Sequence, residues 1–589
     1  MIIPDLRLNR SQSYKAKMKT EQVFEIELER KLSKKQFESV LETLKNPETA
    51  SIIDANVWNF INTVCLTLKT KDLVQNEDDV EICKKILLNL VDRGTAKEVI
   101  VALMEDADSF KNHFHFCLLL EPLKHTLKKV PGKRGKSLEW VLSTLNAHIQ
   151  TLPEPEDADL QGEEKLLLDM DPAVVDTNYV LTNYFQFIDT FVSEVSFETM
   201  STRVECFSDR IVNQREILQR FILILFNHPF LYHDLHVENP TRPKSTIRVL
   251  CEKYIRCLSK ICSNVYNLFR YDSAFAKKEA ESDDSEIVPT LAFANLSYLI
   301  FVENITMDFQ PFVYNHRHLF VMNIKYIVLL LSKTENLVLF KGLHLAKTLL
   351  DNLEDFDITY DFVELPDFTK FPSVLLNVGI FSQIETHRRM AVKIFLTYIN
   401  RCDWKGRYHL INQVLCTIDH SGAKGLVINL FKTYLNDHLN NGILDGYFTG
   451  KNLKSLLKKL FQLEAGAETD ILENSDEIIT TLNFLRYLLI RDRVFPNVTG
   501  IRDLLPQITE RFFEPLKTGL DLSRAHYKQA TKDARSGHKK EGDSINATVS
   551  VNNEILPNIP PNFQKDVIDR ALLTFDVIES LLCRVQELV

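Results

Sequence analysis

The stretch Asn474-Ser475-Asp476-Glu477-Ile478-Ile479-Thr480-Thr481-Leu482-Asn483-Phe484-Leu485-Arg486-Tyr487-Leu488-Leu489 reads as one helix. Ile478, Leu482, Leu485 and Leu489 recur at spacings of three and four, which places them in one stripe along a helical surface. Asn474 and Glu477 ahead of it have capping-box spacing. The same periodicity recurs far upstream in Ile82, Ile86 and Leu90, and at the end of the chain in Leu572, Phe575, Ile578, Leu582 and Val585. Period-two alternation is rare. The one candidate for extended structure is Ala547-Thr548-Val549-Ser550-Val551, before an Asn552-Asn553 turn.

Short joints separate the helical runs. Gly94 closes one helix, and Thr95 with Glu98 forms a capping box for the next. Gly422 lies between the Ile411–Ile418 run and its successor. A chain of 589 residues with only 17 glycines lacks the strand–helix turns that long α/β enzymes need. Many helices in series, none able to bury its stripe alone, predict an all-α, HEAT/armadillo-like helical-repeat solenoid (an α-α superhelix). The competing fold is a compact bundle, for which this length is too great for a single core. No word repeats at a fixed period, as the weak consensus of such repeats allows.

Three polar segments interrupt the periodicity: 152–163, 276–286 and 535–546. They read as exposed loops. The expected organisation is a divergent N-terminal segment (1–34), N-terminal repeats (35–275) with the acidic loop near 152–163, central repeats (287–379), and C-terminal repeats (380–589) with the polar loop near 535–546.

Composition narrows the functions. A net charge of −10 argues against nucleic acid as the main partner, because phosphate binding needs a basic face. Ten cysteines include no Cys-x-x-Cys pair and sit mostly among apolar residues, as reduced core thiols of a cytosolic protein do. The N-terminus carries no signal-peptide pattern. The most apolar run, Phe221–Phe226, is far shorter than the roughly 20 residues of a membrane span. Cytoplasm is the expected compartment, with the nucleus as a second. The sequons Asn497-Val498-Thr499 and Asn546-Ala547-Thr548 therefore carry no weight.

Chemistry leaves little trace. Gly132-Lys133-Arg134-Gly135-Lys136-Ser137 ends like a phosphate loop, but Val130 stands where the first glycine belongs and a helix, not a strand, precedes it. His113 and His115 are two apart, so they point to different sides of a helix. His233 and His236 flank Asp234 with no third ligand in reach of the pattern, and surface or capping roles are expected. Cys251, Cys257 and Cys262 do not converge on one metal. No catalytic serine or cysteine signature occurs. No enzyme, cofactor or metal is expected.

Several C-terminal words carry a resemblance. Phe448-Thr449-Gly450, Glu464-Ala465-Gly466-Ala467-Glu468-Thr469-Asp470, Leu485-Arg486-Tyr487-Leu488, Ser523-Arg524-Ala525-His526-Tyr527, Pro557-Asn558-Ile559-Pro560-Pro561 and Thr574-Phe575-Asp576-Val577-Ile578-Glu579-Ser580 are similar to the glomulin family. A plant relative in that family is known as aberrant lateral root formation protein. The likeness is dense from about residue 380 onward and thin before it. It implies a non-enzymatic inhibitor of cullin-RING ubiquitin ligases. In the family, C-terminal repeats bind the RING domain of the RING-box subunit and block the ubiquitin-conjugating enzyme; zinc belongs to the partner. Links to an immunophilin and a receptor kinase are also implied, so the alternative is a helical scaffold without ligase inhibition. A competitor for a shallow apolar surface needs aromatic and arginine anchors with polar edges. Tyr447, Phe448, Lys451, Arg486, Arg491, His526 and Tyr527 are of that kind. A monomer, with no membrane or nucleic-acid partner, is expected.

Overall fold

A computed structural model describes residues 23–24, 26–47, 49–68, 77–107, 112–130, 134–155, 162–200, 208–238, 243–269, 288–311, 314–441, 446–495, 497–536, 550–551, 554–555 and 561–589. The chain divides into two compact units: Met1–Val313 with Glu335–Lys341, and Tyr314–Thr334 with Gly342–Val589.

In the first unit the longer helices are α1 (Phe37–Lys45), α2 (Val57–Leu68), α3 (Glu77–Arg93), α4 (Ala96–Ala107), α5 (Leu120–Lys128), α6 (Arg134–Ile149), α7 (Pro172–Val195), α8 (Asp209–Asn227), α9 (Thr246–Ile261) and α10 (Thr290–Phe301). Their main contacts join helices one or two places apart in the chain: α2 with α3 and α4, α6 with α8, α7 with α8 and α9, α8 with α10. Packing on the next helix makes a hairpin, and packing on the one after stacks hairpin on hairpin. That pattern belongs to a helical-repeat stack, not a bundle around one centre. The Phe221–Phe226 run is buried throughout within α8. Among the described residues no helix is long and apolar enough to cross a membrane.

The second unit repeats the pattern with α11 (His316–Leu331), the part of α12 (Asn336–Asp351) from Gly342 onward, α13 (Pro366–Phe381), α14 (Glu385–Arg401), α15 (Trp404–Thr417), α16 (Ser421–Asn440), α17 (Gly450–Leu460), α18 (Ser475–Val494), α19 (Glu514–Ser536) and α20 (Pro561–Gln586). Here α13 packs on α11 and α14, α16 on α15 and α18, and α20 on α18 and α19. The protein is an all-α, helical-repeat chain. Among the described residues the extended exceptions are a short hairpin, β1 (Ser550–Val551, within the expected segment) against β2 (Glu554–Ile555, beyond it), and an isolated parallel bridge between Ile358 and Cys402; Ala547, Thr548 and Val549 lie outside the described residues.

Local expectations meet the structure unevenly. The stripe of α18 is buried as a set: Ile478, Leu482, Leu485 and Leu489. In α20, Phe575, Ile578, Leu582 and Val585 are buried while Leu572 is half-buried. Thr95 precedes α4 and donates its hydroxyl to the Glu98 carboxylate at 2.7 Å. Gly94 is small because the chain is crowded there: an added Cβ would meet Val99 Cγ2 at 2.6 Å and Val57 Cγ1 at 2.8 Å.

Asn474 does not cap α18 with its side chain. Its amide donates back to the Asp470 carbonyl at 2.9 Å, and the Glu477 N–H instead reaches Ser421 Oγ on α16 at 3.0 Å. A neighbouring helix supplies the acceptor that the local motif would have supplied. Gly422 sits inside the first turn of α16 rather than between helices, since His420 is the N-cap and accepts from Ala423 N at 3.2 Å. The 276–286 segment, most of 535–546 and residues 156–161 lie outside the described residues.

Candidate partner-binding surface

Seven side chains were candidates for contact, and the second unit places them in three groups. The first surrounds the entry to α17. Gly446 (φ +78°) and Gly450 (φ +59°) take left-handed backbone that a side chain would strain, turning the chain sharply about Phe448. Phe448 points inward and is fully buried. Its ring stacks on Phe431 at 5.5 Å and lies 5.3 to 6.0 Å from the rings of His438, Trp404 and Tyr408. Phe448 is therefore a core residue, not a surface anchor, because α15 and α16 converge on it. Tyr447 is half-buried, 6.2 Å from the Tyr408 and His409 rings, and Lys451 is exposed on the first turn of α17.

The second group spans α16 and α18. Lys432, Asn436 and Asn440 recur every fourth residue on α16, and Tyr487 and Arg491 do so on α18. The Tyr487 hydroxyl donates to Asn436 Oδ1 at 3.0 Å, Arg491 Nη2 donates to Asn440 Oδ1 at 2.7 Å, and Lys432 Nζ sits 5.5 Å from the Tyr487 ring. The Arg491 guanidinium also lies 4.9 Å from the Phe495 ring centre. Arg486 is exposed on the same helix.

The end of α18 contributes residues that pattern reading passed over. Ile490, Val494, Phe495 and Val498 are 44 to 66 % exposed. Asp492, among them in the chain, is buried. Its carboxylate accepts from the Thr499 N–H and the Thr499 hydroxyl, both at 3.0 Å, pinning the loop beyond the helix. Arg493 donates to the Leu588 carbonyl at 3.0 Å, bringing the last residues, with exposed Val589, to this place. The result is an apolar row with Arg486, Arg491 and Arg493 near it. One clue was available: Ile490 and Val494 are four apart and outside the Ile478–Leu489 stripe.

The third group lies on α19 and α20. Arg524 Nη2 donates to Asp576 Oδ1 and Glu579 Oε2, both at 2.8 Å. That hydrogen bond holds the Glu579 carboxyl below its ordinary range. The Tyr527 ring packs 5.5 Å from Phe575, and burial, then Asp470, raises its phenol. His526 is exposed, four residues after exposed Leu522. The words 523–527 and 574–580 thus fit each other. Likewise the 464–470 word buttresses α19: a Cβ on Gly519 would come within 3.1 Å of the Ala467 carbonyl.

In the first unit the histidines differ from expectation. His115 is buried. His113 Nδ1 is 3.0 Å from His148 Nε2, and His148 Nδ1 is 2.7 Å from the Tyr184 hydroxyl. His233 is buried, bonded through Nδ1 to the Pro229 carbonyl at 2.8 Å, and burial lowers it to about 4. His236 pairs with Glu303 at 2.7 Å. Burial opposes the Glu303 charge, yet hydrogen bonds from His236 and Tyr298, with Arg248 adjacent, hold it at about 2. Lys341 is buried and donates to the Phe230 and Leu231 carbonyls at 2.8 and 2.6 Å. These polar groups face the inside because close-packed repeats leave loop carbonyls that a long cation or an imidazole satisfies. Among the described residues no group of three or more His, Cys, Asp or Glu could hold a metal ion. Gly135, Lys136 and Ser137 lie in the first turn of α6; Gly132 and Lys133 are outside the described residues.

Fold and surface together define a helical-repeat protein. The model of a family described as uncharacterised, YAP/Alf4/glomulin, matches residues 14–568. Glomulin of Homo sapiens is 30 % identical over 574 residues, covering 96 % of this chain and 93 % of that protein. Glomulin of Mus musculus is 30 % identical over 562 residues, covering 93 % and 90 %. The chain belongs to the YAP/Alf4/glomulin family. Among solved structures, a circular tandem repeat protein with novel repeat topology aligns over 98 % of both chains at 10 % identity, but its TM-score of 0.21 carries no argument about architecture.

Proposed function

We infer that this protein is a non-enzymatic inhibitor of cullin-RING ubiquitin ligases. Its C-terminal repeats bind the RING domain of the RING-box subunit and exclude the ubiquitin-conjugating enzyme. The observation that carries the reading is the exposed apolar row Ile490, Val494, Phe495 and Val498, pinned by Asp492 and accompanied by arginines. An enzyme-recruiting RING face is shallow and apolar with polar edges, and a competitor needs apolar and arginine anchors to match it. Membership in a family that includes glomulin supports the same reading. Arg486 and Arg491 supply the edge of this contact, Lys451, Tyr447, His526 and Tyr527 extend it, and Phe448 supports Tyr447 from within.

Inhibition here is steric, so it needs affinity and no chemistry. The zinc is the partner's. In a reconstituted assay with neddylated ligase, the full chain slows ubiquitin transfer and is retained by immobilised RING-box subunit, while loss of residues 380–589 abolishes both. Full-length protein that neither binds nor slows transfer would sink the reading. The alternative is a scaffold for an immunophilin or a receptor kinase; proximity labelling that recovers such proteins without cullins would favour it.

A further inference from the structure

We propose that the groove between α12 and α14 docks an acidic, amphipathic protein segment. The groove encloses about 310 Å³ and lies within the second unit. Its floor is apolar: Leu350 and Ile394 are buried, and Met390 is half-buried. Its rim is cationic, with Lys347, Arg389 and Lys393 against one carboxylate, Asp351. The sign is the reverse of the chain's net charge of −10.

The two helices present matching rows. Lys347 and Asp351 are four apart on α12, and Arg389, Lys393 and Thr397 follow at the same step on α14, so both rows face one channel. The existing ion pairs are local and weak. Lys347 meets Asp351 at 3.2 Å, and Arg389, largely exposed, meets Glu385 at 2.5 Å; each is an exposed i,i+4 pair. Lys393 is exposed and has no carboxylate in ion-pair reach among the described residues; the Thr397 hydroxyl donates to its backbone carbonyl. Carboxylates of a partner can replace these pairs at little cost, and a bulky apolar side chain seats on the floor. The volume is at the low end of the roughly 300–1,000 Å³ of ligand pockets, which suits one or two anchoring side chains. Single-stranded nucleic acid needs flat rings on which bases stack, and no Phe, Tyr or Trp lines this groove.

The inference does not rest on the RING reading, since these residues are on α12 and α14 and the apolar row is at the end of α18. The test uses the full-length protein and a fluorescein-labelled peptide of repeating Glu-Leu-Asp-Phe, read by anisotropy. Three comparison probes are the peptide with its acids replaced by Lys, the peptide with Leu and Phe replaced by Ser, and oligo-uridine of similar length. The acidic amphipathic peptide binds best, and binding weakens as salt rises. Arg389→Glu with Lys393→Glu weakens it on the order of tenfold or more. Met390→Ser weakens it several-fold with the charges intact. Lys517→Glu, an exposed change on α19, leaves it unchanged. Helical circular dichroism and binding to the RING-box subunit stay at the parental level in all variants. Equal affinity for the basic peptide, tighter binding of oligo-uridine, or indifference to the Arg389/Lys393 pair overturns the proposal.

Discussion

Asp492→Ala tests whether the loop beyond α18 is held as the structure shows. Asp492 and Thr499 are each 2 % exposed. The substitution leaves the Thr499 N–H and hydroxyl buried without their acceptor. A buried group stripped of its partner costs about 1–3 kcal/mol, so the pair costs about 2–5 kcal/mol locally. Thr499→Val removes one donor at nearly constant volume and keeps the backbone bond, so it costs about 1–2 kcal/mol. A chain of two units is not a two-state system, and a global midpoint would blur these differences. Hydrogen exchange of residues 497–501 reads the local opening directly. At about 1.4 kcal/mol per tenfold, Asp492→Ala speeds exchange at Thr499 by about 30-fold or more, and Thr499→Val acts less. Released from its pin, the loop no longer presents Phe495 and Val498 in fixed positions, and ligase inhibition weakens alongside. Unchanged exchange at Thr499 in Asp492→Ala, or a larger effect from Thr499→Val, would refute this account of the loop.

Other outcomes follow from the same contacts. Phe448→Ala empties a fully buried aromatic site and costs about 3–5 kcal/mol, measured as a lowered urea midpoint for the second unit, with RING-box binding lost through unfolding. Phe495→Asp with Val494→Asp changes only exposed positions, so the thermal midpoint holds while inhibition falls on the order of tenfold or more. His233 is lowered by burial to about 4 from an unfolded value near 6.5, so between these values the unfolded chain binds more protons. Its contribution, about 3 kcal/mol, is therefore complete above pH 6.5 and is lost as pH falls toward 4. His233→Gln flattens the acid limb of a pH–stability curve over that window.

Part of this protein was legible before any coordinates. The stripe Ile478, Leu482, Leu485 and Leu489 is local, set by the 3.6-residue turn, and it lies buried as read. Phe448 reads in the sequence as an anchor, yet an aromatic beside glycines suits a core as well, and only Phe431, Trp404 and Tyr408 converging on it decide the matter. Glu477 was assigned to a local cap, yet Ser421 lies 56 positions away in the sequence. The apolar row was missed because exposed and buried hydrophobic residues are spelled alike.

The sequence by itself determined that the chain is helical and that its helices pack in series, since periodicity and composition act over a few turns; the resemblance to one family rests separately on the C-terminal words such as Glu464–Asp470 and Thr574–Ser580. Tertiary structure decided which side chains remain outside. Arg524 is committed to Asp576 and Glu579, His233 and Lys341 are spent on loop carbonyls, and the loop after exposed Phe495 is held at Thr499 by a carboxylate that is itself buried. Exposure is a property of what the neighbouring helix covers, and that neighbour is fixed by packing across tens of residues, beyond the reach of any local pattern.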